Sequence, residues 1–147
     1  MRLKRLYLKA FGPFTDQTLD FDSRGPGLHI VYGLNEAGKS SSLRGLKALL
    51  YGFDERTADN FVHRNPDLLV GGIIEGTDGE ELEFYRRKKR LADLFDSENN
   101  PLDGRQLSRL MPSIGVEVFT SLYGIDHKML VAGGEEILAQ RGEVGQA

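Results

Sequence analysis

The strongest chemical signal in the sequence is a glycine-rich stretch that ends in a lysine and a serine. Its pattern is G-x-x-x-x-G-K-[S/T], and its residues are Gly33, Leu34, Asn35, Glu36, Ala37, Gly38, Lys39 and Ser40. Glycines let consecutive backbone N–H groups turn inward around phosphate oxygens. The lysine can then reach the β- and γ-phosphates of a nucleotide, and the serine hydroxyl can ligate Mg²⁺. The pattern therefore predicts a phosphate-binding P-loop.

The residues on either side of this motif predict the two elements that a P-loop needs. A compact β-branched and aromatic run at 28–32 predicts a buried strand before it. Apolar residues at helical spacing predict a helix from Lys39 that ends at Gly52, and they are Leu43, Leu46, Leu50 and Phe53. The positive end of this helix favours an anionic ligand. The expected nucleotide contacts are Gly33, Asn35, Glu36, Ala37, Gly38, Lys39, Ser40 and Ser41.

The rest of the chain predicts strands first and short helices later. Strands are predicted at 6–11, 18–22, 70–75, 81–88 and 91–95, and Asp78-Gly79 is a strong signal for a hairpin turn. Short helices are predicted after Asp103, over 116–123 and, following Gly133-Gly134, over 135–140. These elements indicate an α/β fold in which parallel and antiparallel pairings coexist in a mixed sheet around the P-loop helix.

Composition narrows the class of protein further. A chain of 147 residues suits one domain, and 39% hydrophobic with 28% charged residues is ordinary for a folded protein. The lack of cysteine excludes disulfides, thiol catalysis and thiolate-ligated metals. No stretch approaches the roughly 20 apolar residues of a membrane helix. With a formal charge of −3, any contact with nucleic acid must come from a local basic patch.

One such patch is a run of five consecutive basic residues, Arg86, Arg87, Lys88, Lys89 and Arg90. Alternate side chains of a strand face opposite ways, so only some of them share a surface. The run could contact DNA phosphates without reading sequence. It could equally be a charged edge strand that resists aggregation. Phe11, Phe14 and Tyr32 leave a similar choice open, between stacking on a nucleobase and packing in the core.

The residues around the loop carry a family resemblance. Segments 1–14, 19–21 and 27–33, together with Asn35-Glu36-Ala37-Gly38-Lys39-Ser40, closely resemble the N-terminus of SMC-like ATPases, the chromosome-maintenance and recombination-repair proteins with ABC-type heads. Segments 50–53, 125–127 and 133–134 look like the YhaN-like branch of bacterial DNA-repair ATPases. The resemblance covers nearly all 147 residues.

The resemblance implies a P-loop NTPase fold in which residues 1–147 form the N-terminal lobe of an ABC-type ATPase head. In that family a long coiled coil separates this half from a C-terminal half with the signature motif, the acidic Walker B strand and the switch histidine. None of those motifs occurs in this sequence. The implied ligands are ATP and Mg²⁺. The implied partners are the protein's own C-terminal half, a second head in a homodimer, DNA and, as among relatives, a nuclease subunit. The implied location is the cytoplasm, with nucleoid association.

The implied function is ATP binding in DNA double-strand-break repair or recombination, with hydrolysis that needs the other half and head dimerisation. Lys39 would act on the phosphates and Ser40 on Mg²⁺. In many relatives a glutamine near the end of this half approaches Mg²⁺ and the attacking water. The equivalent segment here is Ile125-Asp126-His127, which has no glutamine. Either Asp126 or His127 could take that role, or the pair could be a solvated loop.

Three other functions are compatible with a P-loop. A small nucleotide or metabolite kinase would need a helical lid with clustered arginines, whereas the basic run here lies on a predicted hairpin. A GTPase would need an Asn/Thr-Lys-x-Asp motif for its base, and the sequence has none. A non-enzymatic interaction domain with a vestigial P-loop is the third, and the intact Lys39–Ser40 pair argues against it.

Overall fold

The computed structural model describes residues 1–23, 25–89, 92–111, 113–124 and 127–138. The described strands are β1 (Arg2–Phe11), β2 (Phe14–Asp20), β3 (Leu69–Glu75), β4 (Glu81–Arg87) and β5 (Leu94–Phe95). The described helices are α1 (Lys39–Tyr51), α2 (Gly104–Leu110), α3 (Val116–Leu122) and α4 (His127–Leu138), with one 3₁₀ turn at Asn65–Asp67. Residues 1–114 form one compact unit, and a second unit begins at residue 115.

The five described strands form one sheet in the order β2-β1-β3-β4-β5. The hairpin predicted at Asp78-Gly79 is confirmed, since β3 and β4 pair from Leu69↔Arg87 to Glu75↔Glu81. Every pairing among the described strands is antiparallel. The expectation that parallel and antiparallel pairings coexist is therefore wrong for this part of the chain. Parallel strands need a crossover connection. Here β1 and β2 form a hairpin, β3 and β4 form another, and β3 pairs antiparallel with β1 after the chain has passed through α1.

The core lies between α1 and one face of the sheet. Leu8 of β1 and Leu49 of α1 are almost completely buried. A Cβ on Gly72 of β3 would lie 2.7 Å from Leu49 Cδ2 and 2.6 Å from the carbonyl oxygen of Arg5. A Cβ on Gly45 of α1 would lie 2.5 Å from Leu8 Cδ2. Because glycines on both elements admit leucines from the other, the helix lies close against the sheet, which fixes where its N-terminus lies.

The opposite face of the sheet carries a row of stacked aromatic rings. The ring centroids of Tyr7 and Tyr85 are 5.7 Å apart, and those of Tyr85 and Phe95 are 5.9 Å apart. Gly71 leaves the space that the Tyr85 ring occupies. Burial raises the pKa of Tyr85, and the hydrogen bond to Glu83 raises it further. The stack attaches the two-residue strand β5 to the sheet.

The run at 28–32, which the sequence predicts as a buried strand, is not a strand in the structure. Leu28, Ile30 and Tyr32 are 89%, 75% and 91% exposed. A buried strand needs hydrogen-bonded neighbours and cover on both faces. β1 already pairs with β2 and β3, and no described strand pairs with residues 28–32. The local preference for extended structure is therefore present without the tertiary partners that would bury it.

The helices follow the sequence signals with one correction. α1 begins at Lys39 and is capped by Gly52, and Asp103 caps α2 through its side chain, as predicted. Gly133 and Gly134 lie inside α4 instead of preceding it. A glycine in a helix interior costs only about 1 kcal/mol relative to alanine, so the surrounding residues can outweigh the pair. Within the described part of the chain, no helix combines the length and the apolar character needed to cross a membrane.

Candidate nucleotide-binding site

The glycine-rich stretch forms a tight loop that leads directly into α1. The Ala37 N–H donates to the carbonyl oxygen of Leu34 at 3.2 Å. Glu36 and Gly38 have φ values of 67° and 87°, and Gly38 is the N-cap residue of α1. A Cβ on Gly33 would lie 3.0 Å from the Ala37 Cβ. Left-handed residues interspersed with right-handed ones produce the backbone concavities that bind anions.

The side chain of Lys39 folds back over this loop. Its Nζ donates to the carbonyl oxygens of Gly33 at 2.7 Å and Leu34 at 2.8 Å. An ammonium has three donors, so one remains for a ligand, and the side chain is solvent-exposed. The lysine therefore spans the loop and can exchange a carbonyl for a phosphate oxygen.

The three serines that open α1 have different surroundings. Ser40, the predicted Mg²⁺ ligand, is exposed next to the loop. Ser41, a predicted nucleotide contact, is 7% exposed and its Oγ accepts a hydrogen bond of 2.9 Å from Arg44. Ser42 Oγ donates to the Gly38 carbonyl oxygen at 3.1 Å. Of the three hydroxyls, Ser40 is the one on the solvent side. The side chains of Asn35, Glu36 and Ala37 are likewise exposed.

The turn between β1 and β2 packs against the loop. A Cβ on Gly38 would come within 3.0 Å of both Phe14 Cε2 and Pro13 Cγ. His63 Nε2 lies 2.9 Å from the Phe14 carbonyl oxygen and 3.0 Å from Thr15 Oγ1. The Phe14 ring therefore covers the last glycine of the loop, and His63 of segment 54–66 contacts the residues that follow the turn.

An ion pair with a buried carboxylate and a half-exposed arginine lies one helical turn behind the loop. The Asp59 side chain is 2% exposed and receives two hydrogen bonds from Arg44, at 2.6 Å from Nε and 2.7 Å from Nη2. The same Nη2 donates to Ser41. This pair joins α1 to the irregular segment 54–66.

Comparisons with known proteins identify the family of this chain. The sequence model of a family described as an AAA domain matches residues 1–147. The chain belongs to this AAA domain family. This AAA domain therefore comes from a family of P-loop NTPase domains with an α/β fold, as the loop and its helix predict.

Curated relatives place the AAA domain more closely. It is 33% identical over 139 residues to the DNA replication and repair protein RecF of Desulfitobacterium hafniense, covering 91% of this chain and 35% of that protein. It is 29% identical over 132 residues to RecF of Symbiobacterium thermophilum, covering 82% and 32%. It is 24% identical over 151 residues to the uncharacterized protein YhaN of Bacillus subtilis, covering 99% and 15%. The predicted resemblance to the N-terminal part of SMC-like, YhaN-like ATPases is confirmed, and the comparison adds the RecF proteins to these relatives. The chain spans about a third or less of each relative's length.

The basic run of the AAA domain does not act as one surface. Arg86 side-chain exposure is 12%, and its guanidinium donates to the Leu49 carbonyl oxygen at 3.0 Å and pairs with Asp93. Arg87 lies over the Phe95 ring, 4.5 Å from its centroid. Arg86 therefore binds carbonyl groups at the C-terminal end of α1, where a cation interacts favourably with the helix dipole.

The next residues of the run are closer to solvent. Lys88 Nζ donates to the carbonyl oxygens of Asp54 and Glu55. Lys89 is exposed, and its side chain makes no hydrogen bond or ion pair with the described residues. Arg90 lies outside the described residues. Lys88 and Lys89 line one cavity with Phe53, at the edge of segment 52–66.

The segment predicted to replace the family's glutamine falls largely outside the described residues. Ile125 and Asp126 lie outside the described residues. His127 is the first residue of α4, and only its backbone is described. Among the described residues, no group of three or more His, Asp or Glu side chains is arranged to hold a metal ion. The candidate metal ligand with a described position is Ser40.

The three aromatic residues near the loop have three different positions. Phe11 is 2% exposed and packs on Phe53, with centroids 5.9 Å apart, so it belongs to the core. Tyr32 is 91% exposed. Phe14 lies against Gly38.

Sequence reasoning missed the Arg44–Asp59 pair, because an aspartate in a polar irregular segment gives no local signal that it is buried.

Proposed function

We propose that this AAA domain is the N-terminal, Walker A lobe of an SMC-like, ABC-type ATPase head, and that it binds ATP with Mg²⁺ at the loop 33–40. The observation that carries the proposal is the loop itself. Its left-handed Gly38, its exposed Ser40 and the Lys39 ammonium beside the loop carbonyls lie together at the N-terminus of α1. The donors present fit a triphosphate and a hard cation that prefers oxygen ligands.

The chemistry available to these residues is positioning and charge stabilisation. Lys39 would hold the β- and γ-phosphates, and the N-terminus of α1 would add partial positive charge. Ser40 would supply one hydroxyl ligand to Mg²⁺. When bound, Mg²⁺ neutralises charge that develops on the phosphates. The acidic group that orients the attacking water would come from the C-terminal half of the head.

The exposure of residues 28–32 supports the proposal that this chain is one lobe of a larger head. The run has the β-branched and aromatic composition of a buried strand. Its residues Leu28, Ile30 and Tyr32 are nevertheless 75% or more exposed, which leaves an apolar surface uncovered. The relatives are also longer than this chain. We propose that the C-terminal half covers this run, that two heads form a homodimer, and that the assembly acts on DNA in double-strand-break repair or recombination, with a nuclease subunit, in the cytoplasm and at the nucleoid.

The 147-residue chain alone is expected to bind ATP–Mg²⁺ weakly and to hydrolyse it very slowly or not at all. The reason is that Lys39 and Ser40 can hold the phosphates but no described group is assigned to the attacking water. Calorimetry with ATP and Mg²⁺ measures binding, and a phosphate-release assay measures turnover. The Lys39→Ala chain, purified in the same way, is the control for contaminating ATPases. Robust turnover by the purified chain would contradict the proposal that hydrolysis needs the other half.

The proposed contact with DNA predicts unequal roles within the basic run. Lys89→Ala is expected to weaken binding to duplex DNA and to lower the slope of log K against log salt by about 1, since one phosphate contact is lost. Arg86→Ala is expected instead to lower stability by about 1–3 kcal/mol, because carbonyls at the end of α1 lose their donor. Fluorescence anisotropy at several salt concentrations measures the first, and urea denaturation the second. An unchanged salt slope for Lys89→Ala would assign the run to the charged-edge interpretation.

A further inference from the structure

Asp59 is the most buried carboxylate among the described residues, and the proposed P-loop chemistry gives it no part. The whole residue is 1% exposed. Its two carboxylate oxygens receive hydrogen bonds from Nε and Nη2 of Arg44 at 2.6 and 2.7 Å. Such a bidentate pair fixes orientation as well as charge. The Asp59 carboxylate is buried while the Arg44 side chain is 46% exposed, so desolvation of the carboxylate offsets part of the attraction within the pair.

The backbone of Asp59 fixes the turn that supports the loop. The Gly12 N–H donates to the Asp59 carbonyl oxygen at 2.9 Å. A Cβ on Gly12 would lie 3.1 Å from both Asp59 Oδ1 and Ser41 Oγ. Gly12 precedes Pro13 and Phe14, the two side chains that lie against Gly38. Asp59 thus contacts the residue from which the turn over the loop begins.

Arg44 extends the same contact to the first turn of α1. Its Nη2 donates to Ser41 Oγ at 2.9 Å while also donating to Asp59. Ser41 follows Ser40, the candidate Mg²⁺ ligand. The Arg44–Asp59 pair therefore touches both segments that surround the loop, the Gly12 turn on one side and the serine turn on the other.

We propose that Arg44 and Asp59 are positioning residues for the nucleotide–Mg²⁺ site. The pair holds the Ser40–Ser41 turn and the Gly12–Phe14 turn in the register in which the loop can close around phosphates. This inference rests on the proposed function, because it concerns the same ATP–Mg²⁺ site. Residues that hold a metal ligand in place commonly matter almost as much as the ligand.

The test compares Asp59→Asn with a matched ion pair at the other end of the same helix. Asp59→Asn is expected to weaken ATP binding in the presence of Mg²⁺ by about tenfold, the lower end of the range for residues that support a metal site, because the pair acts on Ser40 through its neighbour Ser41. The loss is expected to shrink when EDTA replaces Mg²⁺. Asp93→Asn breaks the Arg86 pair at the C-terminal end of α1 and is expected to lower the unfolding midpoint without changing ATP affinity.

Arg44→Lys separates positioning from stability. A lysine keeps a charge for Asp59, but its single ammonium does not reproduce the fork that reaches both Asp59 and Ser41. Its unfolding midpoint is expected to stay near that of the wild type, with ATP–Mg²⁺ affinity reduced severalfold. Wild-type affinity in both Asp59→Asn and Arg44→Lys would overturn the inference, and so would an equal loss in Asp93→Asn. Failure of the proposed function is distinguishable, because the wild-type chain and Lys39→Ala would then bind ATP equally poorly.

Discussion

Lys39→Ala is expected to weaken binding of ATP–Mg²⁺ to the chain by about 10- to 100-fold, the equivalent of about 1.5–3 kcal/mol for hydrogen bonds to a charged group. The Lys39 ammonium is a charged donor that lies over the loop, at 2.7 and 2.8 Å from the carbonyl oxygens of Gly33 and Leu34. Alanine removes both the contact with the phosphates and the brace across the loop. Isothermal titration calorimetry with ATP and Mg²⁺ measures the change directly.

Lys47→Ala is the matched control for this measurement. Lys47 is on the same helix, and its Nζ pairs with Asp54 at 3.2 Å, away from the loop. The Lys47→Ala substitution removes the same charge as Lys39→Ala but touches no residue of the loop. Its ATP affinity is therefore expected to remain that of the wild type. Equal binding by Lys39→Ala and the wild-type chain would favour the alternative of an interaction domain with a vestigial P-loop.

Gly38→Ala is the second substitution with a large expected effect. Gly38 has a φ of 87°, where a residue with a Cβ loses about 1–2 kcal/mol. The new methyl group would also press on Phe14 and Pro13, adding an overpacking cost of about 1–3 kcal/mol. Because both the strained backbone and the displaced Phe14 ring lie at the loop, ATP binding is expected to fall by about tenfold or more. Urea denaturation and calorimetry measure the two effects.

Gly79→Ala separates backbone strain from crowding. Gly79 has a φ of 83° in the β3–β4 turn, and a Cβ there would meet nothing within 4 Å. This variant is expected to lose only the part due to φ, with unchanged ATP affinity. Adding Phe14→Ala to Gly38→Ala is expected to restore part of the lost stability. If Gly38→Ala binds ATP as tightly as the wild type, the loop does not need its left-handed residue.

Local signals predicted much of the fold correctly. The hairpin between β3 and β4 follows from Asp78-Gly79, the cap of α2 from Asp103, and the end of α1 from Gly52. Each depends on residues within a few positions of one another, where turn and capping preferences act directly. The prediction that Gly133-Gly134 precedes a helix is wrong. The helical preference of the surrounding residues outweighs the local effect of the two glycines, which lie inside α4.

The burial of extended segments could not be predicted in this way. Residues 28–32 have the composition of a buried strand, yet Tyr32 is 91% exposed. Composition fixes a preference for extended backbone, but burial depends on distant strands that pair with it. The basic run shows the same limit, since Arg86 binds a carbonyl 37 residues away while Lys89 faces solvent.

The sequence by itself determined the chemistry of the candidate site. The order and spacing of residues 33–40 predict a phosphate loop, because the contacts of such a loop come from consecutive backbone groups and two adjacent side chains. Only the tertiary structure decided what supports that loop. The Phe14 ring reaches Gly38 across the β1–β2 turn, and Asp59 reaches Arg44 from a segment 15 residues away. Such contacts depend on how α1 packs on the sheet, and no local pattern encodes that packing.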